Sequence, residues 1–182
     1  MRFIDIIIGQ VLTARTRLGV ELPLTLMNSF RTSNDTMKVL RANKKFHQKD
    51  IPLEIVQHQE PKISAETGLP VSFSANPELE WCPPGHGDLF STIWESGLLD
   101  VLEEHGFKYL FISNSDNLGA RPSRTLAQHF ENTGAPVMIE VAKRTPADRK
   151  GGHIVRDKAT GRFDVREMSQ VHPKDKDGCS EH

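Results

Sequence analysis

Apolar residues at positions 3, 4, 7, 8, 11 and 12, with Arg15 and Arg17 outside them, recur at the helical period and predict a helix over Phe3–Leu18. Gly19 terminates it. A short apolar run over 22–27 predicts a buried strand that stops at Asn28 and Ser29. Ser33 is a plausible cap for a helix reaching about Asn43, with Met37, Val39 and Leu40 on or near its inner face. Residues 53–57 predict a second strand. From His58 to Pro84 six prolines and glycines (Pro61, Gly68, Pro70, Pro77, Pro83 and Pro84) break the pattern, leaving loop with a short strand near 71–73. Residues 89–94 and 98–104 read as helices separated by Gly97, with Gly106 as terminator. A β-branched and aromatic run over 109–113 predicts a buried strand, followed by a helix over 123–132 and a strand over 136–142. Residues 152–156 and 162–167 predict a hairpin turning at 158–161.

Strands alternating with helices imply an α/β arrangement with a mostly parallel sheet, the late hairpin adding an antiparallel element. At 182 residues the chain suits one domain, expected over 1–173, with a polar, disordered tail over 174–182. A formal charge of -1 with 26% charged residues does not suggest a nucleic-acid or membrane surface. Cys82 and Cys179 lie far apart and form neither a disulfide framework nor a zinc pattern, so a reducing cytoplasm is expected. No apolar run is long enough to span a bilayer, and the N-terminus lacks a secretory signal.

Several segments could carry chemistry, and each has an ordinary structural reading beside the functional one. The 109–113 strand ends abruptly at Asn114-Ser-Asp-Asn117, and ligands sit at the carboxyl ends of strands in open α/β sheets. A carboxylate between amides, Asp116, can hold a divalent cation and bond hydroxyls, although the same residues also make ordinary turns. In Trp81-Cys-Pro-Pro-Gly-His-Gly-Asp88 two prolines stiffen the approach, and Gly85 and Gly87 let backbone pass near a ligand. Asp88 can cap the next helix, leaving free N–H groups towards an anion or a base edge. The alternative is a tight loop with a surface His86. Gln57, just after the second strand, offers the donor and acceptor that a pyrimidine edge requires, or simply caps the strand end. The cations over 143–150 could neutralise phosphate or form a solvated face. Gly152 and Glu167 lie on opposite arms of the hairpin, a pairing suited to sugar hydroxyls, or Glu167 is a plain surface carboxylate. Glycine-rich dinucleotide, Walker and nucleophile-elbow motifs are absent, and the Ser and Cys nucleophiles lack a base nearby in sequence, so covalent catalysis has little support.

Taken together, Leu22-Pro-Leu-Thr-Leu-Met-Asn-Ser-Phe-Arg-Thr32, Gln57 to Ile63, Pro83-Pro-Gly-His-Gly-Asp88, Ser96-Gly-Leu-Leu-Asp100, Ser113-Asn-Ser-Asp-Asn-Leu-Gly119 and Arg144-Thr-Pro-Ala-Asp-Arg-Lys-Gly-Gly152 resemble the UTP–glucose-1-phosphate uridylyltransferase family. The similarity runs in order from about Phe3 to His172. It implies a Rossmann-like nucleotide-diphospho-sugar transferase fold, α/β with a mixed, mostly parallel sheet flanked by helices and incomplete at both ends. It implies formation of UDP-glucose and pyrophosphate from UTP and glucose 1-phosphate. Gln57 and Gly85 would then contact uracil, and His86, Asn114 and Ser115 the sugar phosphate. Asp116 would contact nucleotide, sugar phosphate and Mg2+, making Asp116 and His86 the catalytic candidates. Gly152 and Glu167 would hold glucose hydroxyls.

The family's glycine-rich loop precedes the part matching Phe3, and a later lysine and a β-helical domain lie beyond His182. The resemblance is therefore to an internal segment, with apolar edges expected on neighbouring strands. Weak UTP affinity and little turnover of the polypeptide by itself are expected. Self-association or complementary segments are the protein partners left open. The competing readings are a UDP-N-acetylhexosamine pyrophosphorylase and a non-catalytic remnant that binds a nucleotide sugar.

Overall fold

The computed structural model describes residues 1–143, 145 and 152–175. They divide into two compact units, Met1–His129 and a second beginning at Phe130. In chain order the first unit contains α1 (Phe3–Leu18), β1 (Leu26–Asn28), α2 (Ser33–Ala42), β2 (Glu54–Val56), β3 (Glu60–Pro61), β4 (Trp81–Cys82), α3 (Leu89–Glu95) and α4 (Leu98–Glu104). Helix α5 (Arg124–Thr133) runs across the boundary, and the second unit carries β5 (Gly152–Arg156) and β6 (Phe163–Glu167).

Helix α1 has the bounds its apolar stripe predicts. Gly19 ends it at φ 66°, with its N–H on the carbonyl of Arg15 at 2.9 Å, a left-handed cap that side chains disfavour. β1 and β2 pair in parallel, Met27 opposite Ile55. Successive side chains of a strand face opposite ways, and both partners of this pair are used. Leu26 packs with Ile8 of α1 and Leu40 of α2, whereas Met27 and Ile55 pack with Ile93 of α3 and Leu98 and Leu102 of α4. The pair is thus covered by helices on both faces, the layering expected of a parallel α/β sheet. Ile8, at 1% exposure, is the most deeply buried large side chain, so Ile8→Ala would cost about 2–5 kcal/mol.

Local expectations fail in several places, the first being the strand expected over 22–27, which is confined to Leu26–Asn28. Ser33 is the first residue of α2 and not its cap. The Ser29 carbonyl already receives the N–H groups of Thr32 and Ser33 at 3.0 Å, and the Ser33 hydroxyl donates to Glu54 Oε1 at 3.1 Å. Residues 71–73 form no strand: Ile63 and Pro70 make one isolated bridge, and Val71 donates to the Lys62 carbonyl. No strand forms over 109–113, where Leu110, Phe111 and Ile112 are 46%, 51% and 53% exposed. The same holds over 136–142, where Val137, Ile139 and Val141 are exposed. The last two have one physical reason. A strand is stabilised by a neighbour along its edge, and the described residues supply none for either run. Among the described residues the parallel sheet is accordingly represented by a single pair of strands, beside two antiparallel pairs.

The hairpin forms as its pattern predicts, with β6 starting one residue later, at Phe163. The Asp157 carboxylate accepts from the backbone N–H of Thr160 and Ala159 and from the Thr160 hydroxyl. These bonds, the Thr160 backbone bond foremost, hold the Asp157 carboxyl below the usual carboxylate range. Of the expected tail, Lys174 and Asp175 belong to a 3-10 turn (Pro173–Asp175), and 176–182 lie outside the described residues. So do Cys179 and most of the 143–150 cation run. Among the described residues no helix is long and apolar enough to cross a membrane.

Candidate functional site

Gln57 follows β2 directly, and Gly85 lies in the loop leading to α3. The Gly85 N–H donates to Gln57 Oε1 at 2.9 Å. That bond fixes the amide orientation and engages its oxygen, so that the Nε2 donors are the groups Gln57 has left to offer a ligand. Gly85 has φ 98°, a backbone that a side chain would strain, which explains glycine here without reference to a ligand.

Immediately beyond, the chain makes a 3-10 turn over His86–Asp88 before α3 begins. His86 is exposed and lines a cavity of about 1060 Å³ together with Asn114, Ser115 and Asn117. The same cavity is walled by Met27 and Ile55 of the strand pair and by 109–113. The turn after 113 is held by Asn117 N–H on the Asn114 carbonyl and Ala120 N–H on the Asn117 carbonyl, both at 3.1 Å. Gln10 of α1 donates to the Leu118 carbonyl at 2.9 Å, anchoring that loop to the first helix. Asp116 is exposed, and its carboxylate has no hydrogen-bond partner among the described residues. Among the described residues no cluster of three His, Cys, Asp or Glu side chains could hold a metal. Asp116, like Gln57 and Gly85, is not among the residues that line the cavity, so a cation at Asp116 would rest on this one exposed carboxylate, which suits a Mg2+ that keeps its waters.

Asp88 occupies the position before α3, but its carboxylate does not cap that helix. It accepts from the backbone N–H of His58 at 2.8 Å and from the Thr92 hydroxyl at 3.0 Å. The His58 ring completes the contact, with Nδ1 2.8 Å from Asp88 Oδ1 and Nε2 2.8 Å from Glu95 Oε2. Hydrogen bonding to Asp88 and then to Glu95 raises the imidazole above its ordinary pKa, and the backbone bond from His58 lowers that of Asp88. The sequence gives no hint of this cluster, since its members are separated by 30 and 37 residues. Arg31 is a second tie invisible in the sequence, its Nη2 donating to the carbonyls of Glu78 and Trp81.

In the second unit Gly152 stands directly opposite Glu167 in the β5–β6 ladder. A Cβ on Gly152 would lie 2.8 Å from Val165 Cγ1 and 3.2 Å from Glu167 Oε1, so the carboxylate lies over bare backbone. Gly152 and Glu167 thus do lie on opposite arms of the hairpin, as its pattern predicts, with Val165 packed beside them.

The family model for UTP–glucose-1-phosphate uridylyltransferase matches residues 1–181. The chain belongs to the UTP–glucose-1-phosphate uridylyltransferase family. A probable UTP–glucose-1-phosphate uridylyltransferase of Schizosaccharomyces pombe is 38% identical over 173 residues, covering 94% of this chain and 33% of that protein. The Musa acuminata uridylyltransferase is 36% identical, covering 93% of this chain and 36% of its own length. The crystal structure of a UDP-glucose phosphorylase from Trypanosoma brucei superposes with a TM-score of 0.85 at 37% identity, covering 100% of this chain and 40% of that one. An L281D mutant of the Leishmania major UDP-glucose pyrophosphorylase, in complex with UDP-glucose, gives 0.83 at 34% identity, covering 98% and 40%. The chain spans about a third of the length of the curated uridylyltransferases it matches. With these neighbours, the α/β nucleotidyltransferase class expected from the motifs holds.

Proposed function

We propose that this chain supplies the uracil-reading and sugar-phosphate-facing part of a uridylyltransferase that joins UTP and glucose 1-phosphate into UDP-glucose with release of pyrophosphate. The observation that carries the reading is the bond from Gly85 N–H to Gln57 Oε1 beside His86. Uracil presents an N3–H between two carbonyl oxygens. The Nε2 of Gln57 can donate to one of those oxygens, and the Gly85 carbonyl, already accepting from Asp88 N–H at 3.1 Å, has a second lone pair for N3–H. Cytosine, whose N3 is an acceptor, mismatches the Gly85 carbonyl, and its 4-amino donor also mismatches Gln57 where Gln57 reads the 4-position.

In the reaction an oxygen of glucose 1-phosphate attacks the α-phosphorus of UTP, a bond forms there, and the bond to pyrophosphate breaks. No covalent enzyme intermediate is required. The protein's task is to align the two oxygens and neutralise the developing charge. His86, Asn114 and Ser115, sharing one cavity, hold and orient the sugar phosphate, and the exposed carboxylate of Asp116 is free to hold Mg2+. Mg2+, when bound, supplies positive charge to the phosphoryl oxygens. Gly152 and Glu167 are assigned to glucose hydroxyls. Two well-separated cysteines fit a cytoplasmic setting.

An NMR titration of the 182-residue chain with uridine 5′-monophosphate and UDP-glucose tests this. The Gly85 amide and the Gln57 side-chain NH2 should move with uridine compounds and stay still with cytidine 5′-monophosphate. Equal responses to both bases, or none, would overturn the base assignment. Parallel titrations with UDP-N-acetylglucosamine separate glucose from N-acetylhexosamine preference, and binding without pyrophosphate release in a coupled assay would mark a non-catalytic remnant.

A further inference from the structure

The two segments that carry Gln57 and Gly85 are joined by more than the bond between those residues. One residue beyond Gln57 and three beyond Gly85, the His58 backbone N–H donates to Asp88 Oδ2 at 2.8 Å, and the His58 ring sits against both carboxylate oxygens of Asp88 at 2.8 and 2.9 Å. Its other nitrogen meets Glu95 at 2.8 Å. The ring is therefore clamped between the turn before α3 and the last residue of α3. Asp88 is itself fixed, with its side chain 10% exposed and the buried Thr92 hydroxyl on Oδ2.

Resting on the uracil reading above, we propose that His58 is a positioning residue. Bridged between Asp88 and Glu95, it holds the strand-end Gln57 in register with Gly85 and so sets the donor and acceptor that meet the pyrimidine.

Carboxylates only accept, and a neutral imidazole has a single N–H. Both contacts are filled only by the imidazolium. A neutral ring keeps one, and the better-buried Asp88 retains it, releasing Glu95, whose side chain is 61% exposed. Asp88 and Glu95 are the charged groups set against the ring, one from the turn and one from α3. Exposed pairs of this kind contribute little to stability. A glutamine with three side-chain torsions, by contrast, depends on its neighbours for a fixed direction. The contribution of the clamp is thus geometric and not one of overall stability.

NMR on the full chain tests the clamp without any nucleotide. In wild type the Gly85 amide and the Gln57 side-chain NH2 should titrate with the same midpoint as the His58 ring. In His58→Ala that response should vanish while the thermal midpoint stays close to wild type. Glu95→Gln should keep the coupling but move its midpoint to lower pH, because one carboxylate that favours the charged ring is gone. Adding uridine 5′-monophosphate at pH 6, His58→Ala should bind roughly tenfold more weakly and lose preference over cytidine, the scale of one mis-set hydrogen bond. His58→Asn, which keeps a donor towards Asp88, should recover part of that loss. Gly85 and Gln57 signals indifferent to His58 titration, or unaltered uridine affinity in His58→Ala, would overturn the proposal. A wild type that couples His58 to Gly85 but shows no uridine preference would keep the clamp and sink only the base-reading assignment.

Discussion

The Gly85 N–H donates to the side-chain oxygen of Gln57 across 2.9 Å, so the group proposed to read the base is a pair and not one residue. This makes Gln57→Glu a sharper test than Gln57→Ala. A glutamate can still accept from Gly85 but presents a carboxylate where a donor is needed. Uridine affinity should fall by about 1–3 kcal/mol, the cost of an unmade bond, with the thermal midpoint little changed. Calorimetric titration with UDP-glucose measures it, and unchanged affinity would remove Gln57 from the site.

The His58 and Asp88 shifts predict a pH window. Asp88 is lowered from an ordinary 3.8, so its contribution is in place above that value and is lost as pH falls through the lowered one. His58 is raised from an ordinary 6.5, so its contribution is in place below that value and is lost as pH rises through the raised one. The clamp is complete between these limits. Chemical denaturation of wild type minus His58→Ala should show a difference that is small throughout, as for any exposed pair, and that is largest in this window and shrinks on either side. A difference that grows above neutral pH would contradict the charged-ring arrangement.

Asp116→Asn keeps the size of the side chain and removes the charge. If that carboxylate holds Mg2+, any gain in UDP-glucose affinity on adding Mg2+ should disappear in the variant, while affinity in chelator stays as in wild type. An undiminished gain would place the ion elsewhere.

Gly152→Ala is expected to destabilise the hairpin. Alanine in a strand is ordinarily favoured over glycine by about 0.5–1 kcal/mol. Here the new methyl would meet Val165 at 2.8 Å, and overpacking costs about 1–3 kcal/mol, so the second effect wins. Loss of cross-strand NOEs between Gly152 and Glu167, or a higher rate of amide exchange at Val165, reads it directly.

What the sequence makes legible divides along physical lines. Helix α1 and the β5–β6 hairpin rest on local terms, a 3.6-residue stripe stopped by Gly19 and an alternating pattern turned at Lys158 to Gly161, and both form nearly where those terms put them. The 109–113 run carries an equally clear pattern, yet a strand also needs an edge to pair with, and no local term provides one. The candidate site behaves in the same way. His86, Asn114 and Ser115 stand out by residue type and do share a cavity. His58 is ordinary in sequence and gains its place only when Asp88 and Glu95 fold against it.

The half-exposed side chains of Leu110, Phe111 and Ile112 predict association. Phe111→Glu should lower light scattering in concentrated solution with little change in the unfolding midpoint, because half of that ring is already in water. Equal scattering from the two proteins would show that association uses another surface.

The same run has a consequence in a living cell. Chaperones and proteases bind apolar chain that folding has failed to cover, and the triage they impose is set by how often such a stretch is seen. Wherever nothing covers that run, abundance would follow the supply of whatever shields those three side chains more closely than it follows the strength of the core around Ile8.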